Sequence, residues 1–89
     1  MEVKKEKNRI NVFIDGKLAG FATFPDLEEG IVVINHTIVN PSYRGQGIAS
    51  KIMEAFVEVL IETNRKCRAS CSYAANWFLN HEEYQYLLD

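Results

Sequence analysis

The stretch Val39-Asn40-Pro41-Ser42-Tyr43-Arg44-Gly45-Gln46-Gly47-Ile48-Ala49-Ser50 joins two segments of different periodicity. The β-branched run Ile31 to Val39 precedes it, and a helical pattern follows it. Strand, glycine turn, helix is a geometry that holds phosphate. The first amides of a helix have no intrahelical partner, and the helix dipole adds partial positive charge there. Gly45 and Gly47 carry no Cβ, so an anion can approach the main chain and a positive φ costs little. Arg44 adds a guanidinium suited to phosphate oxygens.

Three phosphate loops compete for this stretch. A Walker-type loop requires a glycine, four residues, then Gly-Lys-Ser/Thr, and that lysine is missing. A dinucleotide loop requires G-x-G-x-x-G; here Ser50 stands where the third glycine belongs. The next strand candidate, Lys66 to Cys71, also lacks an acidic residue for a ribose. The remaining option is the acyl-CoA pattern, roughly Arg/Gln-x-x-Gly-x-Gly/Ala, which Tyr43 to Ala49 fits.

With His36-Thr37, Pro41, Arg44-Gly45-Gln46-Gly47 and Cys71-Ser72-Tyr73 in this order, the chain resembles the GCN5-related N-acetyltransferase superfamily. It is most similar to that superfamily's small members with one such motif set. The resemblance runs from about Asn11 to the C-terminus. It implies an α+β fold with a mixed sheet: an N-terminal antiparallel hairpin, a central strand, the phosphate loop, a long helix, a parallel strand and a short C-terminal helix. It also implies acetyl-CoA, or coenzyme A, as the ligand and an amine as the acceptor.

Composition bounds the alternatives. The 89 residues are 47% hydrophobic and 25% charged, which suits one domain spanning 1–89. The net charge of -2 offers no basic field for nucleic acid. No apolar run approaches the roughly 20 residues that span a bilayer. Met1 to Arg9 has no apolar core of a secretory signal, so a cytoplasmic location is expected. Cys67 and Cys71, if both lie on one strand, stand about 13 Å apart by strand rise. That is beyond the roughly 7 Å of a disulfide. Their spacing with two distant histidines is not that of a metal site, so none is expected.

Taken in order, Met1 to Asn8 reads as a frayed, charged start. Arg9 to Ile14 alternates, with Ile10, Val12 and Ile14 on one face. Asp15-Gly16 is a two-residue hairpin turn. Lys17 to Phe24 returns, with Leu18, Ala22 and Phe24 on one face and Gly20 marking a bulge or a close contact. Pro25 to Gly30 reads as an acidic turn, and Ile31 to Val39 as the longest, central strand. Ile48 to Asn64 is a helix with stripes Ile48, Ile52, Phe56, Leu60 and Ala49, Met53, Val57, Ile61. Lys66 to Cys71 reads as a strand parallel to Ile31–Val39. Tyr73 to Leu79 reads as a second helix. In Asn80 to Asp89, Tyr84, Tyr86 and Leu87 are expected to pack back.

Both parallel strands then end at one edge, where open α/β sheets bind ligands. The resemblance implies that they splay there and that the pantetheine arm enters the gap, paired with the exposed strand edge at Ile38 and Val39. The cradle expected for pyrophosphate is Arg44, Gly45, Gln46, Gly47, Ile48 and Ala49, with Ser50 contributing a hydroxyl or merely starting the helix. Asn76 is expected to hydrogen-bond CoA, or else to face solvent. Cys71 closes a strand before a helix N-terminus, where a thiol's pKa falls. It is read as the acid for the departing thiolate, as a covalent acyl acceptor, or as a structural cysteine. Tyr73 is the rival acid, or packs with Trp77. His36 takes a proton from the acceptor, or is an ordinary strand histidine. Cys67 reads as core, Trp77 and Phe78 as core or a wall of the cleft, and His81 as a surface residue.

Full-length relatives insert two helices after the first strand. Here the Asp15-Gly16 hairpin and the Pro25–Gly30 turn occupy that region. The acceptor side is therefore expected to be open and shallow, fit for a protein amine or completed by a partner. The chain is expected to be a monomer or weak homodimer. The main alternative function is a CoA-binding module without efficient catalysis; a further one is a structural domain whose loop takes adventitious anions.

Overall fold

A computed structural model describes residues 1–89. The strands are β1 (Glu2–Lys5), β2 (Arg9–Ile14), β3 (Lys17–Thr23), β4 (Asp26–Glu28), β5 (Ile31–Ile34), β6 (His36–Val39) and β7 (Lys66–Ala69). The helices are α1 (Ile48–Thr63), between β6 and β7, and α2 (Ser72–Leu79), after β7. Short 3-10 turns cover Pro41–Tyr43 and Glu82–Leu87. One sheet is antiparallel, in the order β1-β2-β3-β6; the other has the order β4-β5-β7, with β5 and β7 parallel. This is the α+β architecture that the sequence implies.

The hairpin forms as expected. Asp15 and Gly16 have φ of 50° and 76°, the left-handed pair that matches strand twist in a two-residue turn. Pairing slips between Val12 and Phe13, because Val12 faces Gly20 while Phe13 faces Leu18. Ala19 is thus the extra residue of a bulge. It turns inward and is fully buried, while Leu18, expected inside, is left 38% exposed. Ala22 and Phe24 do face the core.

Gly20 is also a close contact. A Cβ there would stand 2.9 Å from the Ile38 carbonyl oxygen, 2.9 Å from Ile48 Cγ2 and 3.2 Å from Ile52 Cδ1. The carbonyl belongs to the neighbouring strand and cannot swing aside. Gly20→Ala is expected to cost about 1–3 kcal/mol of stability through overpacking. Chemical denaturation reads this as a lower midpoint; an unchanged midpoint contradicts the contact.

Further expectations are corrected. The N-terminus is not frayed: β1 pairs with β2 from Glu2↔Phe13 to Lys5↔Ile10. All four β1 residues are exposed, so no apolar alternation announced it. Lys5 Nζ reaches across to Glu62 at 3.0 Å and Glu58 at 3.6 Å on α1. Asp26–Glu28, within the supposed turn, is a short strand on β5. Arg65 fixes this corner: it is 8% exposed, with Nη1 3.3 Å from Asp26 Oδ1, Nε donating to Thr63 Oγ1 at 2.8 Å and Nη2 donating to the Lys7 carbonyl.

Ile31–Val39 is two strands, not one. Asn35 breaks it, with its N–H donating to Thr23 O at 3.2 Å and its side-chain oxygen accepting from Thr23 Oγ1 at 2.7 Å. β5 therefore stays with β7 while β6 crosses to β3. The strand read as Lys66–Cys71 ends at Ala69, because Ser70 and Cys71 turn their N–H groups onto Ile34 O, at 3.1 and 3.3 Å. Cys71 is the N-cap of α2.

Helix α1 covers the sheets with Ile48, Ile52, Met53, Phe56, Val57 and Leu60, all buried. Each such side chain contributes roughly 1.5–3 kcal/mol when fully buried. Phe24 and Phe56 meet edge to face at 4.7 Å. Ile61, assigned to the second stripe, is 51% exposed. The helix ends at Asn64, whose φ of 53° is the left-handed stop that asparagine tolerates. The last residues return to the core through Leu87, Tyr84 stacks on Trp77, and Tyr86 stays 61% exposed instead of packing. His81 is not a plain surface residue: it is half-buried, stacks on Trp77 at 3.8 Å and sets Nδ1 2.7 Å from Trp77 O.

Candidate functional site

The break at Asn35 gives the site its shape. Past it, β5 and β7 no longer accompany β6, whose only sheet neighbour is β3. Asn40 N–H donates to Ala19 O at 2.8 Å. By antiparallel alternation, His36, Ile38 and Asn40 turn their main-chain groups to β3. Thr37 and Val39 turn theirs to the open side. The opening is a strand edge whose main-chain groups pair with no second strand.

The turn after β6 is held locally. Asn40 Oδ1 accepts the Ser42 N–H at 3.0 Å, and Asn40 O accepts the Tyr43 N–H at 2.8 Å. Gly45 and Gly47 have φ of 83° and 74°, and a Cβ on either would meet nothing within 4 Å. Space in front of both glycines is therefore clear. The amides from Gly45 to Ser50 donate to no backbone carbonyl. They are the free donors of a helix N-terminus.

These residues bound a cleft of about 340 Å³. Val39, Arg44, Gly45, Gly47, Ile48, Ala49 and Ser50 line it, with Tyr73 of α2 on its wall. Arg44 is its one cationic lining residue. Tyr43 also lines it, although the sequence reading gave Tyr43 no role; its place one residue before Arg44 was the available signal. Gln46 lies in the turn, exposed, outside the lining. Asn76 is exposed, and its carbonyl accepts from Asn80 Nδ2 at 3.1 Å.

His36 and Ile38 alternate with Thr37 and Val39 along β6, so their side chains stand on the opposite sheet face. Both are exposed, and Ile38 lines a second groove of about 330 Å³ on that face. Of the predicted residues, Val39, Arg44, Gly45, Gly47, Ile48, Ala49, Ser50 and Tyr73 line the cleft and Ile38 lines the groove; His36, Gln46, Cys71 and Asn76 line neither.

Cys71 stands at the N-terminus of α2, half-buried. Burial pushes its thiol pKa up. The Ala74 N–H, the Thr37 hydroxyl, the Tyr73 N–H and the Thr37 N–H outweigh that, leaving it below the usual value. Thr37 Oγ1 is buried beside the Cys71 thiol and makes no hydrogen bond of good geometry. Thr37 was quoted in the sequence motif but given no function; its parity with Val39 is the signal that places it here. Burial raises the phenol of Tyr73 above its ordinary pKa. Cys67 is fully buried, and its thiol is pushed up to about 12.

Chemically, the arrangement offers an anion cradle of backbone amides and one guanidinium, an open strand edge beside it, and a thiol with lowered pKa near the gap. The clear space before Gly45 and Gly47 and the uncommitted amides fit a diphosphate. A hollow of about 480 Å³ between Gly30, Leu60, Asn64 and Tyr86 lies by the opposite strand ends; Arg65 and Lys66 line it, but it has no glycine turn opening a helix and no thiol. No group of three or more His, Cys, Asp or Glu side chains is gathered as a metal set.

Residues 9–87 match the family described as GCN5-related N-acetyl-transferase. The chain is similar to the solution structure of a GCN5-like candidate N-acetyltransferase from Staphylococcus aureus. That match has 28% identity and a TM-score of 0.78, covering 99% of this chain and 87% of the other. It is similar in fold to ribosomal-protein-alanine N-acetyltransferase from Brucella melitensis, with 22% identity, TM-score 0.62 and coverage of 81% and 60%. The same holds for N-acetylglutamate synthase from Neisseria gonorrhoeae in complex with coenzyme A and N-acetyl-glutamate, with 17% identity, TM-score 0.67 and coverage of 82% and 18%. The chain spans less than two thirds of the length of these last two. A search of curated proteins finds no match. No helix is long and apolar enough to cross a membrane.

Proposed function

Because the chain belongs to the GCN5-related N-acetyltransferase family, we propose that it takes acetyl-CoA as donor and acetylates an amine. The observation that carries the proposal is the meeting of a clear anion cradle and a free strand edge in one cleft. Acetyl-CoA supplies the activated acyl group as a thioester. In this reading the amides from Gly45 to Ser50 and the Arg44 guanidinium bind the diphosphate. The main chain of Thr37 and Val39 binds the pantetheine amides as a missing strand would. The Val39 N–H, fixed before the reaction starts, stabilises negative charge on the acyl oxygen. Gln46 and Asn76 serve the outer parts of CoA, and Ser50 adds a hydroxyl at the helix start.

Cys71 handles the departing thiolate or takes the acyl group itself; Tyr73 is the alternative acid. The raised pKa of Tyr73 keeps its proton available, whereas the lowered pKa of Cys71 favours the nucleophile. His36, across the strand, faces the side from which an amine comes, and accepts its proton directly or through water.

Release of CoA thiol from acetyl-CoA with and without a panel of amines tests the proposal. Amine-dependent release is expected. CoA binding without any release assigns the alternative reading, a CoA-binding module, which is favoured by the exposure of His36.

A further inference from the structure

Resting on that reading, we infer that the acceptor is a free α-amine beside an apolar side chain, such as a peptide N-terminus, and that it docks on the outer face of β3 and β6. Val39 lines the proposed CoA cleft, while its neighbours Ile38 and Asn40 line the groove on the other face. Only the thickness of one strand separates the two hollows. β6 has no neighbour on its free side, so an amine in the groove reaches the cleft around an open edge.

The lining decides what fits. Leu18, Phe21, Ile38 and Pro41 supply apolar surface, and Ala19 and Gly20, whose Cβ positions face α1, present only main chain to the groove. Leu18 and Ile38 are 38% and 47% exposed although large and apolar. The volume of about 330 Å³ suits one bulky side chain with its backbone. No lining residue is a carboxylate. The charge that does adjoin the floor is positive: the Arg9 guanidinium lies 4.3 Å from the Phe21 ring centre. A polyamine or aminoglycoside needs carboxylates to offset its desolvated ammonium groups, and none is offered.

Amine basicity points the same way. The attacking nitrogen must be neutral. An α-amine of pKa about 7.7–8.0 is neutral in roughly one molecule in seven at pH 7. A lysine amine of pKa about 10.4 is neutral in roughly one in 2,500. The exposed His36 is the single titratable side chain of β6 on this face, so a substrate already part neutral has the advantage.

The test uses the full chain, acetyl-CoA and three probes: a tetrapeptide with free N-terminal leucine, an Nα-blocked peptide with one lysine, and spermidine. CoA affinity is measured in parallel, so that a failed CoA reading shows itself separately. The leucine peptide is expected to give at least about tenfold higher kcat/KM than either other probe. Leu18→Glu is expected to raise its KM about tenfold with CoA affinity unchanged, and Leu18→Ser, which adds no charge, to raise it less. Preference for spermidine or the lysine peptide overturns the inference. So do CoA binding without turnover of the leucine peptide, and an unchanged KM in folded Leu18→Glu.

Discussion

At pH 7 a limiting alkylating reagent is expected to modify Cys71 at least about a hundredfold faster than Cys67. The thiolate is the reactive form, and access sets how often it is met. Cys67, on β7, is fully buried with a pKa of about 12, so its thiolate fraction at pH 7 is on the order of one in 10⁵. Cys71 is half-buried and its pKa lies below the ordinary value. Its rate-against-pH curve should therefore have its midpoint below that of a free thiol. The sign for stability follows from the same direction. A depressed pKa contributes stability that is present above the unfolded value and is lost as pH falls through the folded one. Cys71→Ala should accordingly destabilise more at pH 9 than at pH 6. Saturating CoA should protect Cys71, since the pantetheine arm would fill the approach. Timed labelling with mass spectrometry measures all of this. Equal labelling of the two cysteines, or no protection by CoA, removes Cys71 from the site and leaves Tyr73 as the acid.

Gly47→Val is expected to weaken CoA binding by at least tenfold while leaving a folded protein. Gly47 caps α1 with φ 74°, a region that a β-branched residue enters at a cost of about 1–2 kcal/mol. The space is open, so the new side chain clashes with no protein atom. It would instead project into the volume that a phosphate needs. Charge-assisted hydrogen bonds are worth about 1.5–3 kcal/mol each, and losing one changes affinity by roughly ten- to a hundredfold. Titration of the variant with CoA, at a folded fraction matched by circular dichroism, checks this. Parental affinity would mean that the cradle lies elsewhere.

The parts of the fold legible in the sequence were those with a strong local signal. Asp15-Gly16, the apolar stripe from Ile48 to Leu60 and the glycine turn all act over a few residues. β1 was not legible because Glu2–Lys5 buries no side chain; its main chain, the Lys5 ion pairs and Lys4 over the Phe13 ring hold it. The break in Ile31–Val39 was hidden for a different reason. β5 and β6 are both β-branched, and the decision to part at Asn35 is made by Thr23, Ser70 and Cys71, residues distant in sequence. The bulge at Ala19 likewise reversed Leu18, since one extra residue moves a side chain to the other face. In the site, the cradle could be read because glycine and arginine needs are local. The role of Thr37 beside Cys71 could not, because it depends on how β6 and α2 meet. Sequence parity did put His36 and Ile38 together, yet the face they occupy was settled only by which side α1 covers.

Calorimetric titration with coenzyme A beside titration with inorganic pyrophosphate tests the central proposal most directly. A cradle joined to an open strand edge predicts that coenzyme A binds at least about tenfold tighter than pyrophosphate, because the pantetheine arm adds main-chain hydrogen bonds along Thr37 and Val39. Equal affinities, or no heat with either ligand, would contradict it.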